Sequence, residues 1–147
     1  MPNKLIKFEI VTPERIVLKE DVTQITVPTK QGEITVLPGH IPLVASLQPG
    51  VIEVGKEDGS KNIMSVSGGF IEVLKEKVVI LADSAERAEE IDIKKAEEAR
   101  ARAEESKKDL RHFDLERFTS INASIARELA RARAVKRWKK IKNLDKY

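Results

Sequence analysis

The sequence predicts an α+β protein: an N-terminal β-sandwich of about eight to ten short strands, then a C-terminal antiparallel hairpin of two helices. Up to about residue 82, apolar and polar residues alternate in short runs, which is the period of a β-strand. Glycine and proline break these runs, the last being Pro49 and Gly69. Beyond them the chain is charged and alanine-rich, with apolar residues three and four positions apart. We therefore expect a sandwich domain over residues 1–86 and a helical domain over residues 87–147.

The predicted strands are short and evenly spaced, and turn-forming residues separate them. They cover residues 5–11, 16–18, 22–27, 33–37, 43–47, 51–55, 62–67, 70–74 and 78–81. Lys19-Glu20-Asp21 and Pro28 are expected to end the second and third strands. Many short strands at even spacing are typical of a β-sandwich or flattened barrel.

Two apolar stripes predict the helices of the tail. Asp92 is a good N-cap for the first helix, because its carboxylate accepts a hydrogen bond from an unpaired amide. The first stripe is thin, and the second contains larger residues that we expect to pack on the sandwich. The stripes are Ile93, Ala96, Ala99 (or Arg100), Ala103 and Leu110, then Leu115, Phe118, Ile121, Ile125, Leu129, Ala132, Val135 and Trp138. A turn is expected at residues 112–114, although no glycine or proline enforces it, so one long helix is also permitted.

Composition excludes several classes of function. The chain has no cysteine, which rules out disulfides and thiolate metal sites, and its two histidines, His40 and His112, are far apart in sequence. No metal site is therefore expected. Short apolar runs and a polar N-terminus predict neither a membrane span nor a secretory signal, as in an intracellular soluble protein or a peripheral subunit.

Charge separates the two parts of the chain. Residues 1–85 carry 9 basic and 11 acidic side chains, whereas residues 86–147 carry 18 and 13. Basic residues concentrate in residues 127–142, where Trp138 is the only aromatic residue among them. This pattern favours a solvated or protein-docking helix, with a nucleic-acid-binding adaptor as the alternative.

No arrangement of residues predicts catalysis. His40 lies in a loop without a neighbouring carboxylate or cysteine, and residues 67–69 lack the lysine and spacing of a phosphate-binding loop. We therefore predict a non-catalytic module with no catalytic residues.

Four blocks of sequence closely resemble the epsilon subunit of F-type ATP synthases. These blocks are residues 32–43, 49–52, 67–73 and 81–86, in matching order and spacing. The resemblance implies a subunit of the central stalk that couples the gamma subunit to the c-ring in rotary, proton-driven ATP synthesis. It also implies a helical tail that reaches the alpha/beta catalytic head and inhibits ATP hydrolysis. No nucleic-acid partner is implied, and membrane association arises only through the complex, at the cytoplasmic face of the energy-transducing membrane.

The resemblance also assigns roles to individual residues. Its rotor-contact set is Gly32, Glu33, Pro38, Gly39 and His40. Its inhibitory basic set is Arg127, Arg131, Arg133, Lys136 and Arg137.

Some relatives bind ATP through the motif Ile/Leu-Asp-x-x-Arg-Ala, which Ile91-Asp92-Ile93-Lys94-Lys95-Ala96 matches except at one position. Lys95 replaces the motif's arginine and lacks its forked donors. No cofactor is required, and ATP is a possible regulatory ligand, the alternative being that Asp92 is simply an N-cap. The corresponding nucleotide-binding set is Glu86, Ile91, Asp92, Lys95 and Arg102.

Overall fold

The computed structural model describes residues 4–108 and 115–142. Its ten strands are β1 (Ile6–Val11), β2 (Ile16–Val22), β3 (Gln24–Thr29), β4 (Gly32–Val36), β5 (Leu43–Leu47), β6 (Gly50–Gly55), β7 (Lys61–Val66), β8 (Gly69–Val73), β9 (Lys77–Ala82) and β10 (Ala85–Arg87). A single 3₁₀ turn, Ala88–Glu90, leads to helices α1 (Ile93–Lys108) and α2 (Leu115–Ile141). The predicted sandwich followed by two helices is confirmed.

The strands form two sheets joined at one corner. The first sheet has the order β4-β3-β6-β7-β10, and the second has the order β5-β8-β9-β1-β2. Thr29 of β3 pairs with Leu47 of β5, which connects the sheets. All strand pairs are antiparallel except β1 and β9, which run parallel.

Alternate side chains of both sheets point inward and form the main core. Its largest fully buried members include Phe8, Ile10, Ile25, Ile52, Met64, Ile71 and Ile80. This burial follows directly from the alternating pattern, because successive strand residues face opposite sides of a sheet.

Two expected strand ends and one short strand differ from the prediction. β2 continues through Lys19-Glu20-Asp21, because Lys19 lies opposite Glu9 and Asp21 lies opposite Lys7 on β1. Opposite charges facing each other across strands stabilise the pairing. Pro28 lies within β3, beyond the residues that pair with β6, so its missing N–H breaks no hydrogen bond to that strand. The sequence prediction missed the three-residue strand β10.

The tail is a packed pair of helices in which α2 lies on the outer face of β6 and β7. The start of α1 meets the end of α2, where Ile93 and Trp138 pack against the same cluster. Near the other ends, the Lys107 ammonium lies 5.1 Å from the centre of the Phe118 ring. The helices are therefore antiparallel, as predicted, and the single long helix is not seen. The turn expected at residues 112–114 lies outside the described residues.

The predicted packing of α2 through one long stripe is wrong. Leu115 is 74% exposed and Phe118 is 41% exposed, so the first turns do not pack on the sandwich. Buried positions occur only in the second half of the helix, at Glu128, Ala130, Ala134 and Val135. Neither helix in the described ranges is long and apolar enough to cross a membrane.

Candidate functional site

The β3–β4 hairpin presents Gly32 and Glu33 at its tip. The Thr29 hydroxyl donates a hydrogen bond to the Gly32 carbonyl at 2.5 Å and accepts one from the Gln31 amide at 3.2 Å. Gly32 has a φ of 123°, a conformation that favours glycine. Glu33 is the second residue of β4, and its side chain is exposed. The turn is therefore tightly built, and it leaves a carboxylate in solvent.

The loop after β4 places Pro38, Gly39 and His40 at the other end of that strand. The His40 amide bonds to the Leu37 carbonyl at 3.1 Å, and its ring Nδ1 lies 2.7 Å from the Ile41 carbonyl oxygen. No carboxylate of residues 4–108 or 115–142 bonds to the ring, so His40 has the geometry of a residue that braces its own loop.

The rotor-contact set therefore occupies two places. Four residue steps along β4 separate Gly32 from Val36, a distance of about 13 Å at the usual rise of a strand. A partner that contacts both places must extend along this edge of the sandwich.

A row of exposed apolar residues crosses the outer face of the second sheet. The register places Phe70 beside Leu81, Leu81 beside Val11, and Val11 beside Ile16. Phe70, Leu81 and Ile16 are each more than half exposed. Three gaps between strands give the row a length of about 14 Å. Val44 on β5 is exposed on the same sheet, and we call these five residues the apolar row.

Sequence reasoning did not identify the apolar row as a site. Its signal is present, because each residue occupies the outward phase of a strand where a polar residue is usual. Contiguous exposed apolar patches on a soluble domain mark interaction sites.

A second apolar cluster attaches the tail to the sandwich. Val51 and Ile63 project from the outer faces of β6 and β7, and Ala88 and Ile91 lie beside them. From α2 the cluster receives Ala134 and Val135, with Trp138 half-buried at its margin. α2 thus contributes few large side chains to this interface.

An ion-pair network lies beside this cluster and links α2 to β10. Arg131 donates from Nε to Glu86 Oε2 at 2.7 Å and from Nη1 to Glu128 Oε2 at 2.9 Å. We call these three residues the Arg131 bridge. Burial disfavours the charged guanidinium, but the hydrogen bonds and charges of Glu128 and Glu86 outweigh it and raise the pKa of Arg131. The side chain therefore stays a cation while half-buried.

The nucleotide-binding set does not form one constellation. Asp92 accepts hydrogen bonds from the amides of Lys94 and Lys95 at 3.1 and 3.2 Å, so it is an N-cap. Ile91 is buried in the second cluster, and Lys95 and Arg102 lie exposed on α1.

Glu86 borders an open cavity of about 490 Å³. Its lining comes from the sandwich and α2: Thr12, Glu14, Arg15, Asp83, Ser84, Ala85, Glu86, Arg127, Glu128 and Arg131. Three arginines border it, but so do four carboxylates, which makes the cavity as acidic as it is basic.

The inhibitory basic set divides in the same way. Arg127, Arg133, Lys136 and Arg137 are exposed on α2, whereas Arg131 is held in its bridge. Arg137 lies 3.7 Å from Glu53 of β6. Most of the positive charge of α2 therefore faces solvent while the tail is docked.

Comparison with known proteins identifies relatives of this chain. Residues 5–88 match the family model described as the β-sandwich domain of the ATP synthase delta/epsilon chain. The ATP synthase epsilon chain of Chloroflexus aggregans is 52% identical over 67% of this chain and 70% of its own. The ATP synthase epsilon chain of Pelotomaculum thermopropionicum is 49% identical over 71% of this chain and 78% of its own length. A chain in the cryo-EM structure of the Euglena gracilis mitochondrial ATP synthase, OSCP/F1/c-ring in rotational state 1, is 29% identical. It has a TM-score of 0.76 and covers 86% of this chain and 79% of its own.

Proposed function

Since this chain belongs to the delta/epsilon family of ATP synthase subunits, we propose that it is a non-catalytic subunit of the central stalk of an F-type ATP synthase. It joins the gamma subunit to the c-ring and transmits rotation between them during proton-driven ATP synthesis. It is peripheral to the cytoplasmic face of the membrane and is held there by the complex. The two sequence relatives named above are epsilon chains, and a structural relative comes from an assembly that contains a c-ring.

The observation that carries this proposal is the apolar row. Each large apolar side chain that moves from water into an interface contributes about 1.5–3 kcal/mol. The sandwich does not need these side chains for its own core, which is filled from the opposite face of each strand. We assign the apolar row to the gamma subunit, and we assign Glu33 and the loop at Pro38–His40 to the c-ring.

Replacement of Phe70 by glutamate tests the rotor contact. A buried, unpaired carboxylate replaces an aromatic ring, so we expect affinity for the purified gamma subunit to fall by about 10- to 100-fold or more. Isothermal titration calorimetry measures this loss. Leu115→Glu is the matched control, because Leu115 is also an exposed apolar residue but lies on the tail. Unchanged binding of Phe70→Glu would remove the apolar row from the rotor interface.

The tail is proposed to restrain ATP hydrolysis. In the docked state it lies on the sandwich, and in an extended state it presents the inhibitory basic set to the acidic surface of the alpha/beta head. Truncation after Ala88 removes the predicted helical domain but leaves the apolar row intact. We expect the truncated chain to assemble and to raise ATP hydrolysis by the reconstituted complex. Equal hydrolysis with the full and truncated chains would eliminate this role.

Regulatory ATP is a second candidate function, supported by the arginines that border the cavity beside Glu86. A nucleotide phosphate there would compete with the carboxylates for Arg131 and Arg127. ATP titration followed by isotope-edited NMR of the arginine side chains tests this idea. Absence of any shift at millimolar ATP would leave the chain without a nucleotide site in this cavity.

A further inference from the structure

The Arg131 bridge joins two parts of the chain that are 45 residues apart in sequence. Its guanidinium uses three nitrogens: Nε and Nη2 contact the two oxygens of Glu86, at 2.7 and 3.3 Å, and Nη1 contacts Glu128. Such a two-pronged contact between arginine and a carboxylate is stronger and more directional than a single hydrogen bond. The bridge therefore fixes the position of α2 along β10.

Burial makes the bridge costly to break in the docked state. Glu128 is only 7% exposed, and Arg131 is its closest cation, at 2.9 Å, compared with 3.9 Å for Arg127. A buried carboxylate that loses its partner is strongly destabilised. When α2 leaves the sheet, Glu128 and Arg131 both regain water, so this cost disappears. Loss of the bridge thus acts selectively against the docked state.

The apolar contacts of the tail do not make the bridge redundant. The part of α2 that enters the second cluster is Ala134 and Val135, with half-buried Trp138. A second ion pair between α2 and the sheet, Arg137 with Glu53, is longer at 3.7 Å, and the Arg137 side chain is more exposed. The bridge therefore adds a large share of the docking free energy.

We propose that the Arg131 bridge is the contact that holds the tail docked without any bound ligand, and that its opening releases α2 from the sandwich. The relevance of this device to ATP hydrolysis rests on the proposed function of the tail. Its opening also changes Arg131 itself, from a cation neutralised by two carboxylates into one available to an acidic partner. While the tail is docked, the charge of Arg131 is therefore not available to the acidic surface that the inhibitory basic set would contact.

The fluorescence of Trp138 can report whether the tail is docked, because it is the only tryptophan in the sequence and is half-buried at the interface between α2 and the sandwich. Arg131→Met removes the charge and keeps much of the side-chain volume. Since hydrogen bonds to charged groups are stronger than those between neutral groups, we expect the ratio of released to docked tail to rise roughly tenfold or more. The fluorescence emission of the isolated full-length chain should then shift to longer wavelength as Trp138 meets water.

The control is Lys140→Met, which removes one exposed positive charge of α2 two residues from the reporter. It should leave the emission unchanged. Circular dichroism shows whether the sandwich of each variant is folded. If Arg131→Met does not fold, Glu86→Gln removes the carboxylate charge on the β10 side of the bridge and should shift the emission in the same direction. Unchanged emission in a folded Arg131→Met variant, or in Glu86→Gln, would overturn the proposal.

The outcome is separable from that of the proposed function. Emission of the isolated chain reports docking alone, whereas hydrolysis by the reconstituted complex reports inhibition. An emission shift in Arg131→Met with equal hydrolysis by full and truncated chains would keep the bridge and remove its regulatory role.

Discussion

Replacement of Ile63 by alanine tests how weakly the tail is attached. Ile63 lies on β7, is 1% exposed, and faces α2 rather than the interior of the sandwich. Truncation of a buried isoleucine to alanine costs about 2–5 kcal/mol. The apolar side chains of α2 in this cluster are Ala134, Val135 and the partly buried Trp138. Full burial of a valine side chain contributes only about 1.5–3 kcal/mol. The loss is therefore comparable to the whole apolar contribution to docking.

We expect Ile63→Ala to release the tail while the sandwich stays folded. Hydrogen–deuterium exchange measured by mass spectrometry should show faster exchange in peptides from α2, and little change in peptides from β1 and β9. Ile80→Ala is the matched control, because Ile80 is fully buried but lies within the sandwich core. Ile80→Ala should lower the melting temperature of the whole sandwich. Unchanged exchange in α2 of the Ile63→Ala variant would refute the estimate of weak docking.

Three further predictions concern local structure. Gly69→Ala should destabilise the sandwich by about 1–3 kcal/mol or more in denaturant unfolding, because Gly69 has a φ of 125° and an added Cβ would overlap the Leu81 carbonyl; an unchanged midpoint would contradict this. Asp92→Ala should cost the first turn of α1 about 1 kcal/mol, seen as faster amide exchange confined to that turn. The hydroxyl and the amide of Ser60 donate hydrogen bonds to the Asp58 carboxylate and lower the pKa of Asp58. The stability that these bonds give the folded turn is therefore present at neutral pH and is lost as the pH falls through the lowered pKa. An NMR titration should show the pKa of Asp58 rising in Ser60→Ala.

The strands were predictable because their signal is local. Alternation, together with the glycines and prolines between runs, determines where each strand lies and which side chains enter the core. The N-cap at Asp92 was predictable for the same reason, since a cap concerns only its own turn. The strand ends were less predictable. The charges of Lys19 and Asp21 look like a turn until their partners on β1 are known.

The candidate site depends on contacts that the linear pattern does not contain. α2 packs against the sheet on one side and against α1 on another. A search for apolar residues at steps of three and four assigns both sides to one stripe. Leu115 and Phe118 belong to that stripe but have no sheet beneath them. The apolar row depends on the register of five strands, and the Arg131 bridge depends on a contact between residues 45 positions apart.

The parallel pairing of β1 with β9 has a consequence for the order of folding. Lys7 of β1 lies beside Lys77 of β9, so β1 gains this neighbour only after about seventy more residues have left the ribosome. Contacts between distant parts of a chain slow folding, because loop closure must precede them. The surface of β6 and β7 that receives α2 is synthesised before the tail. The helices therefore emerge after the strands of the surface that receives them. A chain stalled before β9 would expose one edge of β1 to other proteins.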